Sequence, residues 1–361
     1  VEIPLVPVLV NMQVTGIKLD VPLLEKMGSA LGERLARLEA ETYEAVGHRF
    51  NMNSPAQLGE LLFGELKLQE KIEGMGRPRR TKTGAYSTDA SVLEFLNQQG
   101  VHPVVGLVLE NRQLTKLKST YVDALPVLVS PHTGRVHTSY NQAGSVTGRV
   151  SSNDPNLQNI PIRTELGRRI RVAFVPGERD WLLLAADYSQ VELRVLAHLS
   201  QDEALLKAFH QDLDIHAATA AQVFGVPLEG VTANQRRIAK VLNFGVIYGV
   251  SAFGIAQQTE LSVDEGRGFI ESYFTRYPGA AEYMERTKRQ ARNQGYVETL
   301  LARRRFIPEI HSSNLNIRQG AEREAINMPV QGTAAEVMKL AMVKVSGRME
   351  AEALQSRMLL Q

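Results

Sequence analysis

R-R-I-A-K-V-L-N-F-G-V-I-Y-G, from Arg236 to Gly249, repeats a pattern of cations and rings at four-residue intervals. Arg236, Lys240, Phe244 and Tyr248 carry this pattern. On a helix, residues four apart lie about 40° apart around the axis, so these side chains form one stripe with a cationic end and an aromatic end. Cations pair with phosphate oxygens, and rings stack on bases or sugars. The stripe therefore predicts a site for a nucleoside triphosphate.

An ordinary amphipathic helix, with solvated cations and buried rings, would show the same spacing. Gly245 favours the functional interpretation, because a glycine inside a helix costs roughly 1 kcal/mol relative to alanine. A helix that accepts this cost needs flexibility or the close approach of another group at that point. We therefore expect the helix to line a binding site.

Four segments resemble motifs of the family A DNA polymerases, the bacterial DNA polymerase I class with its large-fragment architecture, and they occur in that family's order. They are T-G-R-V-S-S-N-D-P-N-L-Q-N-I-P at 147–161, A-A-D-Y-S-Q-V-E-L-R at 185–194, K-V-L-N-F-G-V-I-Y-G at 240–249 and N-M-P-V-Q-G-T-A-A-E at 327–336. The resemblance implies an α+β fold with the right-hand polymerase architecture: a helical thumb, an antiparallel-sheet palm and helical fingers. Phage-type RNA polymerases share only a looser version of the third motif.

Composition limits the kinds of site that this chain can form. Its 361 residues are 43% hydrophobic and carry a net charge of +2, so nucleic-acid binding must come from local basic patches. Cysteine is absent, which excludes disulfides and thiolate metal sites. We expect no membrane segment and a cytoplasmic, nucleoid-associated protein. The 29 arginines against 12 lysines favour a thermophilic source.

Local patterns predict the principal elements. Apolar spacing indicates a helix over about 22–48, Ser54 and Pro55 begin another, and helix is expected over 91–125. The alternation at 135–140 indicates a strand, and the apolar run at 181–186 indicates a buried strand. With the resemblance, these elements imply the following division: a palm-side N-terminal segment (1–22), thumb (23–125), palm (126–201), fingers (202–320) and a palm return (321–361).

Asp187 is a candidate metal ligand, because a carboxylate at the end of a core strand can hold Mg²⁺. The alternative from the residues alone is that Asp187 caps the next helix. The resemblance implies that Asp187 and the Tyr188 carbonyl hold two Mg²⁺ ions, with Mn²⁺ as a substitute, and that Asp187, Lys240 and Arg236 are catalytic. It implies that the incoming deoxynucleoside triphosphate is bound by Gln190, Glu192, His216, Arg236, Lys240, Phe244 and Tyr248. Among these, Glu192 would exclude a ribose 2′-hydroxyl.

A polymerase that accepts any sequence should contact phosphates and the acceptors shared by all base pairs in the minor groove. By resemblance, the donors that face primer-template DNA are Asn53, Ser54, Arg77, Arg79, Arg80, Lys82, Arg112, Lys116, Arg149, Asn156, Gln158, Asn159, Asn327 and Gln331. Each of them taken singly could instead be a solvated cation or a turn-stabilising amide.

A second metal-bridging carboxylate is missing from the motifs of this chain. In the family it follows the segment that ends here at M-L-L-Q, and Asp212 and Asp214 lie on the fingers side. We therefore expect the chain to be truncated before that motif, and a separate or additional C-terminal palm segment to complete the site. Two alternatives stay open: a phage-type RNA polymerase, and a primer-template and nucleotide binding module that cannot turn over.

Overall fold

The computed structural model describes residues 1–73, 76–162, 164–259 and 261–361. Its first part contains α1 (Glu2–Thr15), β1 (Ile17–Leu19), α2 (Val21–Val46), α3 (Pro55–Glu60), α4 (Ala90–Gln98), α5 (Pro103–Leu117) and α6 (Ala124–Val127). There follow β2 (Arg135–Val136), β3 (Ser139–Asn141), β4 (Ser151–Asn153), α7 (Glu165–Val172), β5 (Phe174–Val175) and α8 (Val191–Ser200). The last part contains α9 (Glu203–His210), α10 (Ile215–Phe224), α11 (Ala233–Ile247), α12 (Ala252–Gln258), α13 (Val263–Arg276), α14 (Pro278–Gln294), β6 (Tyr296–Glu298), β7 (Arg304–Phe306) and α15 (Leu315–Ala351).

The predicted helix near residues 22–48 is confirmed as α2. The Asp20 carboxylate accepts a hydrogen bond from the Leu23 amide at 3.0 Å, which caps the start of the helix. Gly47 ends it in the left-handed conformation, with φ of 81°. Ser54 caps α3 as predicted, with Pro55 in its first turn. The helix expected over 91–125 is interrupted between α4 and α5, where Gly100 has a φ of 63°.

Strands are short and all antiparallel in the described parts of the chain. One sheet has the order β2–β1–β5, and β3 pairs with β4 and β6 with β7. The strand predicted over 135–140 is divided into β2 and β3, which belong to different sheets. Between them Thr138 is buried, and its hydroxyl hydrogen-bonds Ser152 at 2.6 Å.

The prediction of a buried strand at 181–186 is wrong for this structure. The segment is irregular, and Leu182 and Leu184 are 90% and 93% exposed. A strand is stable when its backbone groups pair with a neighbour and its side chains are covered. No strand in the described ranges pairs with this segment, so its apolar pattern alone cannot hold it in a sheet.

Separate hydrophobic cores support the two sides of the site. Helices α8, α9, α10, α13, α14 and α15 share a core that includes Leu196, Tyr273 and Val330. The face of α11 opposite its charged residues buries Ile238 and Leu242 against α10, α12 and α13. The N-terminal helices have their own cores, around α2 and β1 and around α3 to α5. This packing leaves the charged side of α11 open.

Candidate nucleotide and nucleic-acid site

The predicted stripe lies on α11 and faces a cleft of about 740 Å³. Lys240, Phe244 and Tyr248 line this cleft, and Arg236 and Lys240 are exposed. Tyr248 falls just beyond the end of α11, but its amide still donates to the Phe244 carbonyl at 3.3 Å. The stripe thus keeps its helical spacing to the last ring. A long ligand with phosphates at one end and a flat group at the other fits this order.

Gly245 permits close packing, one of the two roles predicted for it. A methyl group added there would come within 2.5 Å of a Val250 methyl carbon, and the Val250 amide donates to the Gly245 carbonyl at 2.8 Å. The chain therefore turns back sharply after α11. That turn brings Val250 to the wall of the cleft beside Phe244.

The cationic end of the stripe is held by Asp214. Its carboxylate caps α10, accepting from the His216 amide at 2.9 Å, and it also accepts from Nε of Arg236 at 2.7 Å. Burial would raise the pKa of Asp214, but the Arg236 guanidinium and the α10 amides outweigh that effect and lower it. Asp214 therefore stays anionic and fixes Arg236 beside His216.

His216 is a buried, neutral histidine next to these cations. Its ring centroid lies 5.7 Å from that of Phe244, and its side chain is 3% exposed. Burial lowers the pKa of His216 from 6.5 to about 4; Asp214 opposes this shift, and Arg236 and Lys240 add to it. At neutral pH the imidazole can therefore offer one N–H group to an anion without adding a third positive charge.

Acidification is expected to destabilise the protein through His216. Because the folded pKa is about 4 against 6.5 for an ordinary histidine, the unfolded chain binds a proton first as the pH falls. The free energy of unfolding is therefore highest above pH 6.5. It falls by about 3 kcal/mol in total as the pH decreases toward 4. Denaturant unfolding of the wild type and of His216→Gln across this range measures it. Equal pH slopes for the two proteins would contradict the prediction.

The aromatic end of the stripe is tied to Glu192. This carboxylate is 7% exposed, accepts from the Tyr248 hydroxyl at 2.8 Å and forms an ion pair with Arg149. The Gln331 side chain lies close to the Tyr248 hydroxyl. Burial and the Glu192 contact raise the pKa of Tyr248, so the phenol remains a proton donor. The structure thus brings together three residues predicted to contact the nucleotide or DNA: Glu192, Tyr248 and Arg149.

Asp187 lies apart from this network. It is exposed, and it makes no hydrogen bond or ion pair with any residue that the structure describes. It does not cap α8, because the N-cap is Gln190, whose φ is 54° and whose side chain makes no capping bond. The helix-capping alternative is therefore not realised. Tyr188 beside it is 45% exposed.

Most of the predicted DNA contacts reach solvent. The exposed ones are Asn53, Arg77, Arg79, Arg80, Lys82, Lys116, Arg149, Asn156, Gln158 and Asn159, and those that are partly covered are Ser54, Arg112, Asn327 and Gln331. Some of these side chains also donate hydrogen bonds to backbone carbonyls of the protein. Arg112 donates to the Thr88 carbonyl at 2.5 Å, and Gln158 donates to the Val150 carbonyl at 2.9 Å. The basic loop, residues 74–84, carries Arg77, Arg79, Arg80 and Lys82; residues 74 and 75 of this loop lie outside the described residues.

Arg323 lines the cleft but was not predicted from the sequence as a site residue. It lies on α15, lines the same cleft as Lys240, and packs against Gly249, whose φ is 62°. Arg323 lies four residues before Asn327, so both are on one face of α15. This spacing could have indicated Arg323 from the sequence. Arg237, the second arginine of the α11 motif, also lines the cleft.

No group of three or more His, Asp or Glu side chains that could hold a metal ion occurs among residues 1–73, 76–162, 164–259 and 261–361. Across those ranges, every helix is too short or too polar to cross a bilayer.

Comparison with known proteins identifies the family. Residues 21–361 match the model of DNA polymerase family A. Over all or nearly all of its length the chain is 51% identical to DNA polymerase I of Geobacillus stearothermophilus and to the thermostable DNA polymerase I of Thermus aquaticus. It spans 40% and 42% of the length of those two proteins.

A solved structure agrees with the sequence matches. The POL domain of Pol1 from M. smegmatis, in complex with DNA primer-template and dNTP, superimposes with a TM-score of 0.93 at 43% identity. The match covers 100% of this chain and 62% of that one. The α+β polymerase fold predicted from the motifs is thereby confirmed, and the chain belongs to DNA polymerase family A.

Proposed function

We propose that this chain is the polymerising part of a DNA-templated DNA polymerase, which adds deoxynucleotides to a primer 3′ end in replication or repair. The stripe on α11 is the observation that carries the proposal. His216, Arg236 and Lys240 gather at one end of it, and Phe244 and Tyr248 at the other. The relatives named DNA polymerase I, and the Pol1 complex with primer-template and dNTP, support the same function.

In this reaction the primer 3′ hydroxyl gives its proton to solvent and its oxygen bonds to the α-phosphorus, while the bond from that phosphorus to the pyrophosphate oxygen breaks. Negative charge builds on the leaving pyrophosphate. The exposed Lys240 and Arg236 cations and the neutral His216 N–H would lie against the β and γ oxygens. They would stabilise that charge with donors already in place, and the Lys240 ammonium can give its proton to the departing group.

We propose Asp187 and the Tyr188 carbonyl as this chain's ligands for two Mg²⁺ ions, which Mn²⁺ could replace. When bound there, such ions would lower the pKa of the primer hydroxyl. The exposed Asp187 carboxylate suits a cation that keeps much of its water shell. The described residues supply one carboxylate at this place, which is fewer than a two-metal site needs.

A strand-forming palm segment outside residues 1–361 would complete this site. The exposed side chains of Leu182 and Leu184 form an apolar run without a strand partner in the described structure. Pairing along 181–186 would cover these side chains and would hold Asp187 at the end of a central strand. We propose that the pairing segment carries the second metal-bridging carboxylate.

Glu192 would select the sugar. Its buried carboxylate is fixed from two sides by Arg149 and Tyr248, so it cannot move aside easily to admit a 2′-hydroxyl. Desolvating a further polar group against this carboxylate would also cost free energy. We therefore propose that deoxyribonucleotides are the substrates.

Primer-template DNA would run past the exposed donors. We propose that Arg149, Asn156, Gln158, Asn159, Asn327 and Gln331 contact the primer end and its minor groove. The thumb donors Asn53, Ser54, Arg112 and Lys116, with Arg77, Arg79, Arg80 and Lys82 on the basic loop, would contact phosphates. Because phosphate contacts release counterions, binding should weaken steeply with salt. The division into thumb, palm and fingers at the predicted boundaries belongs to the same proposal.

Single-nucleotide primer extension tests the function. The full-length protein, given primer-template and Mg²⁺, is expected to add the matched deoxynucleotide and to reject the matched ribonucleotide. Preferential ribonucleotide addition would overturn the assignment in favour of an RNA polymerase. Absence of both additions, with intact duplex binding, would favour the binding-module alternative.

A comparison of polypeptides tests the palm-completing segment. A polypeptide of residues 1–361 is expected to bind primer-template but not to extend it, whereas the full-length protein extends. Hydrogen exchange should show residues 181–186 protected in the full-length protein and rapidly exchanging in residues 1–361. Extension by residues 1–361 at the full-length rate would contradict this part of the proposal.

A further inference from the structure

A cluster of four charged side chains lies beside the turn that precedes Arg149. Glu336 and Lys339, on α15, are 3% and 1% exposed. Arg303, in the turn between β6 and β7, forms an ion pair with Glu2, and its Nε lies 3.3 Å from a carboxylate oxygen of Glu336. Lys339 donates to both carboxylate oxygens of Glu2, at 2.9 and 2.8 Å.

These contacts hold the Arg303 guanidinium in one place. Burial would raise the pKa of Glu2, but Lys339 and Arg303 outweigh that effect and lower it, so Glu2 stays anionic. The two cations and two carboxylates balance, and a buried group in such a cluster is costly to leave without its partner. The Arg303 backbone is fixed as well, because its amide donates to the Thr299 hydroxyl at 3.1 Å. Arg303 is therefore held by α1, by α15 and by its own turn.

The held guanidinium packs on Gly148. A methyl group added at Gly148 would lie 2.6 Å from Nε and 2.8 Å from Cζ of Arg303, so the arginine occupies the space of a side chain there. Gly148 has a φ of 79°, which favours glycine, and its amide closes a turn by donating to the Ser145 carbonyl at 3.0 Å. Arg303 thus limits where this turn can lie.

The turn determines the starting point of the Arg149 side chain. Thr147 and Val150 on either side are 8% and 6% exposed, and Val150 belongs to the core shared by α1 and α15. From this backbone the Arg149 side chain reaches the buried Glu192 carboxylate. Hydrogen bonds weaken steeply when their geometry is lost, so a shift of the turn would break this contact.

We propose that Arg303 is a positioning residue for sugar selection, which acts through Arg149 on Glu192. The role in sugar selection rests on the function proposed above, but the ordering of the turn does not. Without the Arg303 guanidinium the Gly148 turn would move, and Glu192 would keep Tyr248 as its one fixed partner. The carboxylate could then yield to a ribose 2′-hydroxyl.

The ratio of kcat/KM for a deoxynucleotide to kcat/KM for the matched ribonucleotide tests this role in the full-length protein. Arg303→Gln is expected to lower the ratio about tenfold, which corresponds to the loss of one hydrogen bond to a charged group. Arg348→Gln is the matched control and should leave the ratio unchanged. It removes an arginine from the Glu352 ion pair at the exposed end of α15.

A double-mutant cycle shows whether Arg303 acts through Arg149. Arg149→Ala is expected to lower the ratio at least as much as Arg303→Gln does. Adding Arg303→Gln to Arg149→Ala should then have no further effect, because both changes remove the same contact with Glu192. A loss that simply adds to that of Arg149→Ala would overturn the proposal.

Hydrogen exchange tests the turn without any catalysis. The Gly148 amide is expected to exchange about tenfold faster in Arg303→Gln than in the wild type or in Arg348→Gln, while the amides of α8 keep their wild-type rates. Unchanged exchange at Gly148, or equal acceleration in α8, would overturn the proposal. If Arg303→Gln does not fold, Arg303→Gln combined with Glu336→Gln removes a whole ion pair and should show the same two effects.

The two measurements together separate this inference from the proposed function. Faster exchange at Gly148 with an unchanged sugar ratio would overturn the role of Arg303 in sugar selection. Faster exchange at Gly148 in a protein whose wild type adds neither nucleotide would count against the proposed function and would support the ordering of the turn by Arg303.

Discussion

Asp187→Asn is expected to reduce nucleotide addition by the full-length protein by about a thousandfold. The substitution keeps the shape of the side chain but removes the charge that the proposed metal ions need. Several kcal/mol of transition-state stabilisation depend on such ions, and about 4 kcal/mol corresponds to a thousandfold in rate. Single-turnover primer extension with excess Mg²⁺ measures the effect.

Asp180→Asn is the matched control for this prediction. Asp180 is also exposed and has a left-handed backbone, with φ of 68°, that asparagine accepts readily. Because Asp187 has no partner in the described structure, neither change should alter folding or duplex affinity. If both variants extended primers at the wild-type rate, Asp187 would not be the catalytic carboxylate.

Lys240→Ala is expected to lower kcat/KM for the deoxynucleotide by about a hundredfold to a thousandfold. Lys240 is exposed at the centre of the stripe and lines the cleft. A positioned cation or general acid at a leaving group contributes about this much to the rate. Since the charge of the leaving pyrophosphate grows in the transition state, kcat should fall more than the affinity for the nucleotide.

Lys207→Ala removes the same charge from α9 and should leave kcat/KM within about twofold, since an exposed cation away from the site contributes little. Lys240→Arg should restore part of the activity, because it returns the charge without the lysine's proton-transfer chemistry. A loss for Lys240→Ala confined to duplex binding, with normal nucleotide kinetics, would show that Lys240 contacts DNA rather than the triphosphate.

Three helices could be predicted from the sequence because short stretches of sequence specify them. Asp20 and Gly47 bound α2, Ser54 and Pro55 begin α3, and the four-residue spacing in 236–248 appears as one face of α11. Capping chemistry and helical periodicity act over a few residues, so the sequence displays them directly.

Predictions of strands were less accurate, because a strand depends on a pairing partner that is distant in the sequence. The run at 181–186 has the composition of a buried strand, yet strand formation needs a neighbour, and none is present in the described structure. Residues 135–140 alternate as one strand, but contacts around Thr138 divide them between two sheets. Strand pairing is a tertiary property, and a strand's own pattern does not name its partner.

The sequence by itself determined the family, the α+β class and the order of cations and rings on α11, because motif spacing and helical period are properties of the chain. The tertiary structure decided which groups meet: Arg236 with Asp214, and Glu192 with both Arg149 and Tyr248. It also buried His216, and that burial lowers the pKa of the imidazole. Burial and hydrogen-bond pairing of this kind arise only when helices distant in the sequence pack together.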